Sequence, residues 1–380
     1  MSFVFYDTET TGTNTSFDQI LQFGAIRTDS EFRELDRFEI RCRLLPYVVP
    51  SPGALRVTGV RVAQLIDPSL PSHYEMVRQI RAKLASWSPA IFIGHNTLNF
   101  DEHLLRQALY KTLHAPYLTN TNGNCRTDSL RLIQATERFV PGVLKIPVDD
   151  RGKQSFKLDR LAPANGFDHS DAHDAMADVE ATIHICKLIA ECTPELWSGF
   201  VRFAQKAAVN DFAIEEEVFS LTEFYFGKTY SWMVTVIGQN PKRSSELLVL
   251  DVGLDPDELC GLNDAQLANR LSQSPKPVRV MKTNAGPIIM PYDDVPAHLT
   301  KGLPLFSELK TRAAKIRADK PMIERLIAAY TAQREDKEPS IHVEEQIYGA
   351  FAAPSDQTLM DRFHDVDWPQ RLAIANSLKT

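Results

Sequence analysis

Residues 3–12 read FVFYDTETTG, an apolar run that ends in two carboxylates spaced two apart and then enters a polar turn. Phe3–Thr8 has the aromatic and branched composition of a buried strand. Side chains two apart on a strand project to one face, so Asp7 and Glu9 stand side by side. Like charges this close repel unless a cation lies between them, and a hard divalent ion is the natural partner. A strand running into a polar turn would produce the same residues without any chemistry. The rest of the chain has to decide between the two.

Outward from that strand, the first half alternates strand and helix patterns. Ile20–Thr28 and Phe38–Leu44 read as strands, and 46–52 as loop. Tyr74–Trp87 has helical spacing at Val77, Ile80, Leu84 and Trp87. Ile91–Gly94 is a short buried strand, followed by a helix over Asp101–Leu113 with Leu104, Leu105 and Ala108 inward. A Gly/Asn-rich loop leads to a helix over Asp128–Phe139. A last helix, from about Asp171 to Ala190, has Ala175, Val179, Thr182, Ile183 and Cys186 on one stripe. Three early strands and then helix–strand–helix units predict an α/β fold, a mixed sheet with flanking helices. The pattern changes near Thr193–Pro194. A helix around Trp197–Ala208 and an acidic turn (Asp211, Glu215–Glu217) precede strand-like runs at Tyr230–Gly238, Leu247–Val252, Val278–Lys282 and Pro287–Met290, a small β-rich domain. Helical spacing returns over Leu303–Tyr330 and after Trp368.

Composition narrows the function classes. The 380 residues are 43% hydrophobic and 24% charged, which excludes a disordered or collagen-like chain. Apolar stretches are strand-sized, far below the roughly 18 residues of a membrane span, and the N-terminus shows no secretory leader. Five cysteines without a CxxC pair fit reduced thiols and no cysteine zinc site, so a cytoplasmic address is expected. The net charge of −7 weighs against a nucleic-acid binder unless metal neutralises the acid locally. Against that average, Lys301–Arg325 carries seven basic and three acidic residues. No phosphate-loop motif is present, so nucleoside-triphosphate hydrolysis is unsupported. Phe219, Phe224, Tyr225, Phe226, Tyr230 and Trp232 could stack bases, although such residues are more often the core of a small β domain. His95 reads as a hydrogen-bonding residue of the interior.

Two further segments bring carboxylates. Asp101 opens a helix just after an apolar strand, where α/β proteins place sites; dipole compensation or capping is its plain alternative. Residues 168–178, DHSDAHDAMAD, hold four aspartates and two histidines. Ser170 or Asp171 can cap, and acids suit a first turn. His173 and Asp178 lie about 140° apart on a helical wheel, whereas Asp174 and Asp178 share a face, so spacing leaves the ligand choice open. Carboxylates from three segments plus a histidine compose a two-metal site in which an ion acidifies a water and a histidine takes its proton.

FYDTETTG at 5–12, NFDEH at 99–103 and AHDAMADVEAT at 172–182 resemble the three motifs of the DEDDh exonucleases, which have a ribonuclease-H-like fold. IRTDSEF at 26–32, VTG at 57–59, SFKLDRLAPANG at 155–166, FGKTYSW at 226–232 and KPVRVMKTNAGPI at 276–288 extend the likeness to the bacterial exodeoxyribonuclease I family. The resemblance implies that Asp7, Glu9 and Asp178 hold two Mg²⁺ ions, for which Mn²⁺ can substitute. It gives Asp101 a role through water and makes His173 the general base, which selects Asp178 over Asp174. Glu9, Thr10 and Lys157 become substrate contacts, with Lys157 standing where the family's enterobacterial member has an arginine. It further implies an exonuclease domain over 1–193, an SH3-like domain with flanking helices over 194–350, and over 351–380 the start of a C-terminal helical domain, incomplete here. The expected activity is stepwise 3′→5′ hydrolysis of single-stranded DNA to 5′-mononucleotides in DNA repair. The expected partners are single-stranded DNA and the C-terminal tail of single-stranded DNA-binding protein, with Arg312, Lys315 and Arg317 as charged docking candidates. The chain is expected to be a monomer with no membrane contact. An RNA exonuclease on the same scaffold and a non-catalytic strand-binding adaptor are the alternatives.

Overall fold

The computed structural model describes residues 1–169, 173–225, 227–333 and 338–378. Ser170 and Asp171, read above as capping candidates, and Phe226, among the stacking candidates, lie outside them. The described residues form ten strands: β1 (Ser2–Thr10), β2 (Ile20–Thr28), β3 (Glu34–Arg41), β4 (Ala90–Gly94), β5 (Cys125–Asp128), β6 (Phe219–Tyr225), β7 (Lys228–Gln239), β8 (Glu246–Asp251), β9 (Val278–Lys282) and β10 (Ile288–Pro291). The first five form one sheet in the order β3-β2-β1-β4-β5. β1–β2 and β2–β3 pair antiparallel, whereas β1–β4 and β4–β5 pair parallel, the mixed sheet expected of a ribonuclease-H-like fold.

Alternation along β1 explains how both faces are covered. Phe3 and Phe5 pack with Met176, Val179 and Ile185 of the Ala175–Cys192 helix. Val4 and Tyr6 pack with Met76, Ile80 and Leu84 of the His73–Ser86 helix and Leu104 and Leu105 of the Asp101–Lys111 helix. β1 is thus buried on both sides, and its C-terminal end leaves the core carrying Asp7 and Glu9.

The other five strands form an antiparallel sheet in the order β10-β6-β7-β8-β9. One face packs on Val209, Phe212 and Ala213, the other on Leu267, Ile316 and Leu326. The structure corrects four readings. The Gly/Asn-rich loop contains β5, a four-residue strand too short to show a period. The expected Trp197–Ala208 helix is two helices, Pro194–Arg202 and Lys206–Glu215, so Asp211 and Glu215 are helical rather than in a turn. The helix expected from Asp171 starts at Ala175, because Asp174 is its N-cap. Phe219–Tyr225 is a strand, with Phe219 in the core and Tyr225 and Tyr230 exposed at 44% and 39%. No helix among the described residues is long and apolar enough to cross a membrane.

Candidate metal centre and active site

Cross-strand register sets the site. Asp7 lies opposite Gly24, which lies opposite Glu39; Glu9 lies opposite Gln22, which lies opposite Arg41. These two rows share the face that meets the Ala175–Cys192 helix. At Gly24 a Cβ would stand 2.9 Å from the Ala175 carbonyl carbon and 3.0 Å from the Met176 nitrogen, so glycine alone lets the helix start settle on the sheet there. Asp174 caps that helix by accepting from the Met176 N–H at 3.0 Å. His173 just before it has φ +70°, a left-handed turn that directs the chain back over β1. One ligand atom each from Glu9, His173 and Asp178 consequently lie within 4.8 Å of one another.

Asp101 arrives from the opposite side. Gly94 ends β4 where a Cβ would strike the Thr97 side chain and the Tyr6 carbonyl oxygen, and Asn96 (φ +65°) completes the turn into the Asp101–Lys111 helix. Phe100, not Asp101, is the cap residue of that helix. The buried Asp101 carboxylate accepts instead from the Thr8 hydroxyl at 2.5 Å. Its neighbour Glu102 is also buried, and it accepts from Tyr6 Oη at 3.0 Å, Thr119 Oγ1 at 2.7 Å, Arg106 Nε at 2.7 Å and Arg126 Nη1. Tyr6 and Thr8 of β1 are thereby bonded to Glu102 and Asp101, and the two carboxylate-bearing segments cannot drift apart.

The electrostatics mark a concentration of negative charge. Burial, then Asp178, Asp101 and Asp174, push the Glu9 carboxyl up to about 8 against the pull of Arg41. Burial raises Asp101 to about 7, with the Thr8 hydrogen bond opposing. Asp7 is raised by burial and then by Asp101, Asp178 and Glu9. Burial also raises Asp178, opposed by His169 and His173. Four carboxylates are gathered where each ionised one makes the next costlier. Oxygen donors with one imidazole fit a hard or borderline divalent cation, so these residues suit a metal.

Of the expected site residues, Asp7, Glu9, Asp101, His173 and Asp178 come together. The Thr10 hydroxyl is turned inward onto the Gly12 carbonyl at 2.7 Å. Lys157 is exposed at the start of the Leu158–Ala164 helix, beside Phe156, whose carbonyl oxygen contacts His95 Nε2 at 2.9 Å. Arg312 donates to the Val252 and Gly253 carbonyls and pairs with Glu308, and Lys315 pairs with Asp257, so two of the three docking candidates are engaged internally, while Arg317 is exposed near the end of the same helix. Sequence reasoning missed His169, whose buried Nε2 lies 2.7 Å from Asp178 Oδ1 without hydrogen-bond alignment. It also missed Thr8, Gln22 and Arg41. A second histidine four residues before His173 was a legible signal; the other three depend on register.

Beyond the carboxylates, a cleft of about 550 Å³ separates the first sheet from the second. Asn96, Asn99, Arg131, Tyr225, Arg243 and Lys282 are among the residues that line it.

The exonuclease family RNase_T matches residues 4–186. Exodeoxyribonuclease I of Escherichia coli strain K12 is 28% identical over 94% of this chain and 78% of its own length. The crystal structure of E. coli exonuclease I in complex with a dA16 oligonucleotide superposes with a TM-score of 0.85 at 26% identity, covering 98% of this chain and 82% of that one. A zinc-ion-bound form of the E. coli enzyme with single-stranded DNA superposes with a TM-score of 0.83 at 25% identity, covering 98% and 82%. In sheet order, in these motif residues and along nearly its whole length, the chain is similar to the exodeoxyribonuclease I enzymes.

Proposed function

We propose that the protein is a Mg²⁺-dependent 3′→5′ exonuclease that degrades single-stranded DNA to 5′-mononucleotides. The observation that carries this reading is the convergence of Asp7, Glu9, Asp101, His173 and Asp178, from three separate segments, in one site. Asp7, Glu9 and Asp178 would hold two Mg²⁺ ions, which supply an acidified water and charge neutralisation at the phosphodiester. Mn²⁺ is expected to substitute.

The remaining work falls to the side chains. His173 is exposed and adjoins Glu9 and Asp178, so its imidazole can take a proton from the attacking water and pass it to solvent. Asp178, with His169 against one oxygen, accepts from the His173 backbone N–H and so holds the turn that carries the ring. Asp101, fixed by Thr8, acts through water. Lys157 would contact a backbone phosphate as a point charge, without the bidentate grip of an arginine. Residues 1–193 would carry the chemistry, 194–350 would wall the strand, and 351–380 would begin a helical unit. By family resemblance the tail of single-stranded DNA-binding protein is the expected partner, and the repair and cytoplasmic assignments rest on the same ground.

The test is to mix the protein with 5′-labelled single-stranded DNA and a matched RNA, with Mg²⁺ or with EDTA, and follow fragment lengths. Shortening of the DNA from its 3′ end in Mg²⁺ alone, with RNA spared, is expected. Shortening of RNA alone would replace this reading with the exoribonuclease, and binding without shortening would replace it with the adaptor.

A further inference from the structure

Glu9, Gln22 and Arg41 form one row across three strands, and all three address the segment that carries His173. Arg41 Nη2 donates to Asp174 Oδ2 at 2.6 Å, and Gln22 Nε2 donates to the same oxygen at 2.9 Å. The Gln22 amide is held in turn by Glu39 Oε1 at 2.9 Å. Its own carbonyl oxygen faces the Ala175 N–H at 3.4 Å. The other Asp174 oxygen accepts from the Met176 and Ala177 N–H groups at 3.0 and 3.4 Å. One carboxylate therefore divides its two oxygens between the helix start and the sheet. Burial alone would raise the Asp174 carboxyl, yet Gln22, the helix amides and Arg41 together hold it below the usual carboxylate range.

The consequence falls on His173. A residue at φ +70° sits in a conformation that side-chain-bearing residues rarely adopt and that persists only when its surroundings determine it. Asp174, the next residue, is the described anchor that ties this turn to β2 and β3. Without it the helix could still form, but the ring that must meet Glu9 and Asp178 would lose its fixed approach. Placement errors of about 1 Å can cost two orders of magnitude in rate.

We infer that Arg41 and Gln22 are positioning residues. Acting through the Asp174 cap, they set where His173 hangs over the carboxylates, and they touch no substrate. The inference rests on the function proposed above for the kinetic part of its test and not for the structural part.

Arg41 lies half exposed on the edge strand, so Arg41→Ala should fold. We expect kcat on single-stranded DNA to fall about tenfold with KM within about twofold. Arg41→Lys, which restores a donor to Asp174, should recover most of that loss. In the His173→Ala background, Arg41→Ala should remove none of the residual turnover. By hydrogen exchange, the Met176 and Ala177 amides should exchange about tenfold faster in Arg41→Ala. Unchanged kcat, a raised KM at unchanged kcat, a further loss on top of His173→Ala, or unchanged exchange at these amides would each overturn the inference. A wild-type protein that releases no nucleotide would remove the proposed function. Faster exchange in Arg41→Ala would then still uphold the anchoring of the helix start.

Discussion

At the scale of single residues, the site divides labour between groups that bring negative charge and one that moves a proton. Glu9 and Asp178 are held by a strand and a helix that meet only because Gly24 is bare. His173 alone among the five is exposed, as a group exchanging protons with solvent must be. Removing it should therefore cost chemistry and little else. We expect His173→Ala to lower nucleotide release about 10²- to 10⁴-fold, the usual worth of a general base. Its thermal midpoint should stay within about 2 °C of the parent, because an exposed side chain contributes little packing. Initial rates and a melting curve on the same preparation check this, and a variant with full activity would sink the role. Asp178→Ala should lose turnover similarly. It should also weaken Mg²⁺ binding in calorimetric titration, which His173→Ala should do less.

Elements fix where those residues stand. Alternation in FVFYDTETTG was enough to place Asp7 and Glu9 on one face of a strand, and the apolar run at Ile91–Gly94 was enough to place Asp101 after another. The start of the last helix was not legible. Acidic residues crowd 168–178, several can cap, and which one does depends on Gln22 and Arg41, about 150 and 130 positions earlier in sequence and adjacent only through strand register. β5 was hidden for a related reason, since four residues carry no measurable period and its Arg126 and Asp128 are buried for tertiary reasons. Wherever local pattern sufficed the elements were readable; wherever a cross-strand partner decided, they were not. Gly24 belongs to the second kind. A Cβ there would press on the Ala175 and Met176 backbone, which cannot rotate away as a side chain would. Gly24→Ala should therefore destabilise by about 1–3 kcal/mol, the usual cost of overpacking. Turnover should fall as well, because the helix start carrying Asp174 and Asp178 moves off β1. Urea midpoints and nucleotide release measured together check both parts, and unaltered values in both would show that the sheet yields freely at this point.

Over the whole molecule, two contacts between distant parts of the chain govern behaviour. The first joins the Pro354–Asp365 and Trp368–Ala375 helices to the His73–Ser86 helix and to the turn at Leu113 and His114. The His364 ring stacks on His114 with centroids 3.7 Å apart; its Nε2 contacts the Leu113 carbonyl at 3.2 Å and its Nδ1 the Tyr74 hydroxyl at 2.8 Å. Arg78 and Arg81 face the pair from the His73–Ser86 helix, and Arg371 and Asp361 from the C-terminal helices. Burial, and then His364 and the two arginines, hold His114 down at about 3, and burial lowers His364 as well. Both folded-state values lie below the ordinary histidine value near 6.5, so the unfolded chain binds more protons on acidification. Stability from this contact is present above about pH 6.5 and is lost as the pH falls toward 3. Melting temperatures at pH 7 and pH 5 should differ by about 2–4 °C more in the wild type than in His114→Phe, which keeps the stack without the proton.

The second contact shapes the cleft. Arg131 Nη1 donates to the Ala285 carbonyl at 2.7 Å, and Gly286 lies where any Cβ would meet the Thr127 side chain. The turn between β9 and β10 is thereby pressed against β5, and the two sheets keep a fixed spacing along the cleft. Lys282 at the end of β9 is exposed on the cleft wall, and its charge reaches both His103, two residues from Asp101, and Glu223 on the second sheet. A strand whose 3′ end is held at the carboxylates would lay its upstream phosphates along this wall. A lysine contacting one phosphate adds about one unit to the salt dependence of binding, irrespective of base sequence. Lys282→Ala should therefore raise KM for oligonucleotides long enough to fill the cleft and reduce the slope of log KM against log salt by about one. It should leave kcat unchanged, because Lys282 does not touch the carboxylates that do the chemistry. It should affect the hydrolysis of di- and trinucleotides less than that of longer substrates, because they place fewer phosphates along this wall. Steady-state kinetics over a series of oligonucleotide lengths and three salt concentrations separates these outcomes. Equal loss on short and long substrates would mean that Lys282 acts at the scissile end, and the strand would then have to leave the site by another route.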